Sequence, residues 1–135
     1  MSFSGRGERI LIIDDEECIR DSCYQVLSKA GYRVEKASNG ATGLKKAREI
    51  GPDVALIDLD MPGLSGLEVM EGLDEIGPGI VRIVVTGNTS MDLKKEIIHK
   101  RLALNCLLKP FSPEELRLVV REALEKRNDV RKEGG

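Results

Sequence analysis

Residues 54–63 read Val-Ala-Leu-Ile-Asp-Leu-Asp-Met-Pro-Gly. Four apolar residues without polar alternation run into a carboxylate, and Met-Pro-Gly follows at once. An unbroken apolar run bounded by turn residues marks a strand buried on both faces. Asp58 then stands at the carboxyl end of that strand, the edge where open α/β sheets bind ligands. A carboxylate held there is costly unless it meets a cation or a hydrogen-bond donor, so the rest of the chain must supply one.

The remaining pattern repeats the same unit. Residues 9–13 form a first strand that ends at Asp14-Asp15-Glu16-Glu17, and Ile19, Cys23, Val26, Leu27 and Ala30 follow at helical spacing up to Gly31. A short second strand covers 32–36, and Asn39 caps a helix with Leu44, Ala47 and Ile50 on its buried stripe. After the central strand come a helix over 67–76, a break at Gly77-Pro78-Gly79 and a strand over 80–85 that ends at Thr86-Gly87-Asn88. A fourth helix is read over 91–101 and a fifth strand over 104–108, ending at Lys109-Pro110. Ser112-Pro113-Glu114-Glu115 has the form of a helix start, and Leu116, Val119, Val120, Ala123 and Leu124 give that last helix its inner face. Ser65 reads as a loop serine. Five strand–helix units imply an α/β fold, a doubly wound parallel sheet with helices on both faces. The chain divides into a disordered leader over 1–8, one domain over 9–127 and a polar tail over 128–135 expected to fray.

Every strand except the short second ends in a reactive or hydrogen-bonding group: Asp14 and Asp15, then Asp58, then Thr86, then Lys109. In a parallel sheet all carboxyl ends share one edge, with adjacent strands about 4.8 Å apart. If the first and third strands are neighbours, three carboxylates crowd one small volume and raise each other's pKa unless a cation is present. Hard carboxylate oxygens with room for water and phosphate suit Mg²⁺. With an ammonium from Lys109 and a hydroxyl from Thr86, the set makes a cradle for a phosphoryl group on Asp58.

Composition removes several other classes. The 135 residues carry a formal net charge of −2 with mixed signs, which gives no electrostatic reason to expect nucleic acid or anionic lipid as a partner. Aromatic residues make up 3%, too few for base-stacking platforms. No apolar run approaches the roughly 18 residues of a membrane span. The polar, Gly-rich start lacks the apolar core of a signal peptide. Cys18, Cys23 and Cys106 lack metal-ligand spacing and read as reduced thiols, which places the protein in the cytoplasm. His99 lies among lysines on the polar side of the fourth helix and reads as a surface residue.

In the order Asp14-Asp15, Asp58, Met61-Pro62, Thr86 and Lys109-Pro110, the chain resembles the receiver domain of two-component response regulators from Arg9 to about Lys126. The resemblance implies a flavodoxin-like sheet of strand order 2-1-3-4-5. It implies Asp58 as the acceptor of a phosphoryl group from the phosphohistidine of a histidine kinase. It implies Mg²⁺ held by Asp15 and Asp58 side chains, by Asp14 through water and by the Asp60 backbone carbonyl. Thr86 and Lys109 would take the phosphoryl oxygens, and a downstream protein effector or a covalently linked module would read the change. A homodimer is compatible with it. Such a domain assists its own phosphorylation and dephosphorylation and is otherwise no enzyme.

Two positions depart from the pattern. Cys106 stands where the family often has an aromatic switch residue, so signalling here would rest on backbone motion over 86–90. Asp60 adds a fourth acid, whose side chain can repel phosphate or order a water. Two rival readings carry less of the chain. Asp58-Leu59-Asp60 resembles the opening of haloacid-dehalogenase phosphatases, but Pro62 takes that family's hydroxyl position and no acidic pair on a strand end follows Lys109. A receiver-like scaffold that is not phosphorylated would leave the complete residue set without a use.

Overall fold

The computed structural model describes residues 7–61, 63, 65–87 and 105–134. Pro62 of the Met-Pro loop, residues 88–90 and the helix expected over 91–101 with His99 lie outside the described residues, as do Leu104 and most of the leader. The elements are β1 (Arg9–Ile13), α1 (Glu17–Lys29), β2 (Arg33–Ala37), α2 (Gly40–Ile50), β3 (Val54–Asp58), α3 (Gly66–Ile76), β4 (Val81–Thr86), β5 (Asn105–Leu108) and α4 (Pro113–Gly134).

All neighbouring strands pair in parallel, in the order β2-β1-β3-β4-β5. This is the doubly wound sheet that the sequence implies. All five residues of β3 are buried, as its unbroken apolar run requires. Alternation along β1, β3 and β4 divides the core in two. Ile10, Ile12, Leu56 and Ile83 face α1 and α4, where Leu27, Leu116 and Val120 pack against them. Leu11, Ile13, Ile57 and Val84 face the other side with Ala47, Val69, Met70 and Leu73 from α2 and α3. Each large aliphatic buried this way contributes about 1.5–3 kcal/mol, and the central strands contribute to both layers at once.

Local chemistry sets the helix ends. Asn39 accepts from the Thr42 amide at 2.8 Å and caps α2, which closes on Gly51 at a left-handed φ of 58°. Ser112 and Glu115 exchange hydrogen bonds of 3.1 Å at the start of α4. Ser65 differs from the loop residue expected of it. Its hydroxyl accepts from the Glu68 amide at 3.1 Å and its own amide donates to Glu68, a reciprocal cap that starts α3 at Gly66. Helix α4 runs on through Asn128 to Gly134. No proline interrupts 128–134, and Arg131, Lys132 and Glu133 are good helix formers.

The far end of the sheet is tied down by Asp53. Its carboxylate accepts from the Arg9 amide at 2.8 Å and pairs with Arg127 of α4 at 3.1 Å. These contacts fix the amino ends of β1 and β3 against the last helix and leave the carboxyl edge free for chemistry.

Candidate functional site

The register decides which polar groups meet. Ile13 of β1 pairs with Ile57 of β3, so Asp14 and Asp58 come next on adjacent strands. Asp58 pairs with Val85 of β4, and Thr86 pairs with Leu108 of β5, one residue before Lys109. The Lys109 amide donates to the Thr86 carbonyl at 3.0 Å and extends the ladder by one rung. The five-residue set expected from the sequence is therefore gathered on one edge.

Asp58 and Asp14 are almost fully buried, at 1% and 3% exposure, whereas Asp15 is exposed. Lys109 Nζ lies 3.1 Å from Asp58 Oδ2 and 3.7 Å from Asp14 Oδ2. Asp58 Oδ1 accepts from the Asp60 amide at 2.9 Å, and Asp14 Oδ1 accepts from the Glu16 amide at 2.8 Å. Arg20 reaches back to the Asp14 carbonyl at 2.9 Å and steadies the turn into α1. Both buried acids thus have a donor on one oxygen and the ammonium near the other.

Burial pushes the Asp14 carboxyl from an ordinary 3.8 up to about 6; the Glu16 amide opposes that rise and the Asp58 charge adds to it. Burial works to lower the Lys109 ammonium, but the Asp58 hydrogen bond and the Asp14 charge outweigh it, so the group is held above its usual value. Lys109 is a fixed positive charge here, not a proton shuttle.

Oxygens of Asp14, Asp15, Glu16 and Asp58 lie within 4.8 Å of one another. That donor set is hard, anionic and partly open to solvent, and it fits a divalent cation that keeps some of its waters, as Mg²⁺ does. Glu16 was not assigned to the site from the sequence. Its carboxylate pairs with Lys109 at 3.2 Å across 93 residues of chain. A glutamate at a helix start has an ordinary explanation in the helix dipole, and no spacing rule pointed to its distant partner.

Asp60 behaves differently from the other acids. Its carboxylate is absent from the cluster, and Oδ2 instead accepts from the Thr86 hydroxyl at 3.3 Å and the Gly87 amide at 3.4 Å. Gly66 is a further residue without a sequence signal. A Cβ there would fall 2.3 Å from Leu59 Cδ2 and 2.8 Å from Leu59 Cα, so only glycine lets α3 start directly against the turn after Asp58. Cys106 is exposed on β5. Cys23 is buried nearby, and burial followed by the Asp14 charge pushes its thiol up to about 12.

The family profile described as "Response regulator receiver domain" matches residues 10–121. The chain belongs to that family. Sporulation initiation phosphotransferase F of Bacillus subtilis (strain 168) is 34% identical over 119 residues, which covers 87% of this chain and 94% of that protein. Chemotaxis protein CheY of Thermotoga maritima is 33% identical over 108 residues, covering 79% of this chain and 89% of that one. Among solved structures, a CheY-like receiver domain protein from Methanospirillum hungatei JF-1 superposes with a TM-score of 0.86 at 32% identity, over 91% of this chain and 98% of the other. The chain is thus a receiver domain of the two-component response regulator family, with the flavodoxin-like topology of its relatives. No described helix is long and apolar enough to cross a membrane.

Proposed function

We propose that this receiver domain takes a phosphoryl group onto Asp58 from the phosphohistidine of a partner histidine kinase and relays the change through its surface. The observation that carries this reading is the Asp58 carboxylate, buried to 1% exposure at the end of β3 with the Lys109 ammonium 3.1 Å from Oδ2. Asp14, Asp15 and Asp58 would hold Mg²⁺, with Glu16 in reach of the same ion and the Asp60 carbonyl as the ligand that family likeness suggests. When bound, the ion neutralises negative charge on phosphoryl oxygens.

The chain's own part follows from the geometry. An Asp58 oxygen attacks phosphorus, the phosphorus–nitrogen bond of the donor breaks, and its electron pair returns to the imidazole. One negative carboxylate becomes an acyl phosphate with about two negative charges. Lys109, already held against Asp58, follows that charge onto a phosphoryl oxygen, and the Thr86 hydroxyl is the donor at the end of the next strand. Both residues lie at the ends of β4 and β5, so their shift biases the loops beyond those strands between two arrangements. A downstream protein effector or a linked module reads the result, and the domain turns over no separate substrate. The named function of the Bacillus subtilis relative, a phosphotransferase, supports a relay of this kind.

Acetyl phosphate with Mg²⁺ tests the reading without the kinase. Intact-mass measurement should show one added phosphoryl group that hydroxylamine removes, and Asp58→Asn should abolish it. Full labelling of Asp58→Asn would overturn the assignment. Release of phosphate from many unrelated esters would point to a phosphatase, and no labelling at all would point to a scaffold.

A further inference from the structure

Asp60 is an exposed residue, yet it is tied at both its ends. Its amide donates to Asp58 Oδ1 at 2.9 Å, and its Oδ2 receives the hydroxyl of buried Thr86 at 3.3 Å and the Gly87 amide at 3.4 Å. Two donors from consecutive residues at the end of β4 therefore converge on one anionic oxygen. That oxygen belongs to the residue two positions after the proposed acceptor.

A phosphoryl group on Asp58 would need donors from the same strand end, and among the described residues Thr86 offers a hydroxyl there. In the unphosphorylated chain that hydroxyl already serves an anion. We infer that Asp60 is a positioning residue that stands in for the phosphoryl group, holding Thr86 and Gly87 until a phosphoryl group on Asp58 displaces it. The displacement half of this inference rests on the acceptor role proposed for Asp58; the holding half does not.

The distances favour such an exchange. Bonds of 3.3 and 3.4 Å are long for a hydroxyl and an amide on a carboxylate, where about 2.5–2.7 Å and about 2.9–3.0 Å are usual. A phosphoryl group offers about two negative charges and three acceptor oxygens, so it makes the stronger partner. The exposure of Asp60 gives the displaced carboxylate water to turn into.

Beryllofluoride, a phosphoryl mimic, tests the competition at saturating Mg²⁺, where the Asp60 backbone carbonyl is unaffected by side-chain substitution. Asp60→Ala should tighten beryllofluoride binding roughly fivefold or more, the size of one ordinary net hydrogen bond, as the long distances here imply. In a Thr86→Val background the same substitution should gain less than half as much. An equal gain in both backgrounds would mean that Asp60 acts by charge repulsion alone and would overturn the inference, as would no gain in either. The amide proton of Gly87 in the untreated protein gives the second readout. It should move upfield in Asp60→Ala and by less in Asp60→Asn; an unmoved Gly87 resonance would overturn the holding role. Failure of the unsubstituted protein to bind beryllofluoride would count against Asp58 as acceptor and against the displacement, while the Gly87 resonance still decides the holding.

Discussion

Lys109 and Asp58 are 51 residues apart in the chain, and their side chains meet at 3.1 Å. The contact crosses β4, which lies between β3 and β5 in the sheet. It is possible because both residues stand at the carboxyl ends of their strands and the lysine side chain is long enough to reach over the strand between them. Asp14, at 3.7 Å, shares the same ammonium, so one cation serves two buried acids.

Removing that cation should therefore cost stability. Lys109→Met leaves Asp58 and Asp14 facing each other with no positive charge between them. Breaking a buried pair costs about 3–5 kcal/mol, and the 15% exposure of the Lys109 side chain moderates this. A loss of about 1–3 kcal/mol at pH 7.5 without divalent cation is expected. Urea unfolding measures it, and millimolar Mg²⁺ should restore part of the loss. An unchanged midpoint would mean that the pair contributes little.

The Asp14 carboxyl gives a pH dependence with a definite sign. Burial raises it from 3.8 to about 6, so the folded state holds this proton more tightly than the unfolded chain. Its stabilising contribution is complete below about pH 3.8 and is lost as pH rises through about 6. For the metal-free protein this loss amounts to at most about 3 kcal/mol, and Asp14→Asn should remove it from the profile. Mg²⁺ binding needs the ionised acid, so the rise in melting temperature caused by Mg²⁺ should grow with pH up to about 6.5 and then level off. A rise that is the same at pH 5 and pH 7.5 would contradict this.

Gly66 allows α3 to begin against Leu59. Gly66→Ala would put a methyl group 2.8 Å from the Leu59 Cα, where backbone has to move. A cost of about 1–3 kcal/mol is expected, together with slower acetyl phosphate labelling, because Leu59 follows Asp58 directly. Thermal unfolding and the labelling rate check the two effects separately.

The three thiols should differ in reactivity. Cys18 and Cys106 are exposed, while Cys23 is buried with its thiol pushed up to about 12. Ellman's reagent on the native protein is expected to find two fast thiols, with the third released only on unfolding. Three equally fast thiols would show that α1 does not pack as described.

The fold was legible because its signals are local. The apolar run before Asp58, the Asn39 cap and the proline–glycine breaks each act within a few residues, and the strand ends follow from them. The placement of Asp58, the acidic pair, Thr86 and Lys109 was legible because a parallel sheet carries every strand's carboxyl end to one edge. Glu16, Gly66 and the Asp60–Thr86 contact were not, because each depends on a neighbour from elsewhere in the chain or from a helix start. The Glu16 partner is 93 residues away, and the Gly66 constraint is visible only once α3 is laid against the β3 turn. The reciprocal cap of Ser65 and Glu68 was a readable pattern, obscured by placing the helix start at Leu67.

The central claim is that Asp58, and no other acid at this edge, carries the phosphoryl group. Treating the acetyl phosphate-labelled protein with borohydride reduces an aspartyl phosphate to homoserine, and peptide sequencing by mass spectrometry then locates it. Homoserine at position 58 alone is the expected result. Homoserine at position 14, 15 or 60, with Asp58 intact, would contradict it.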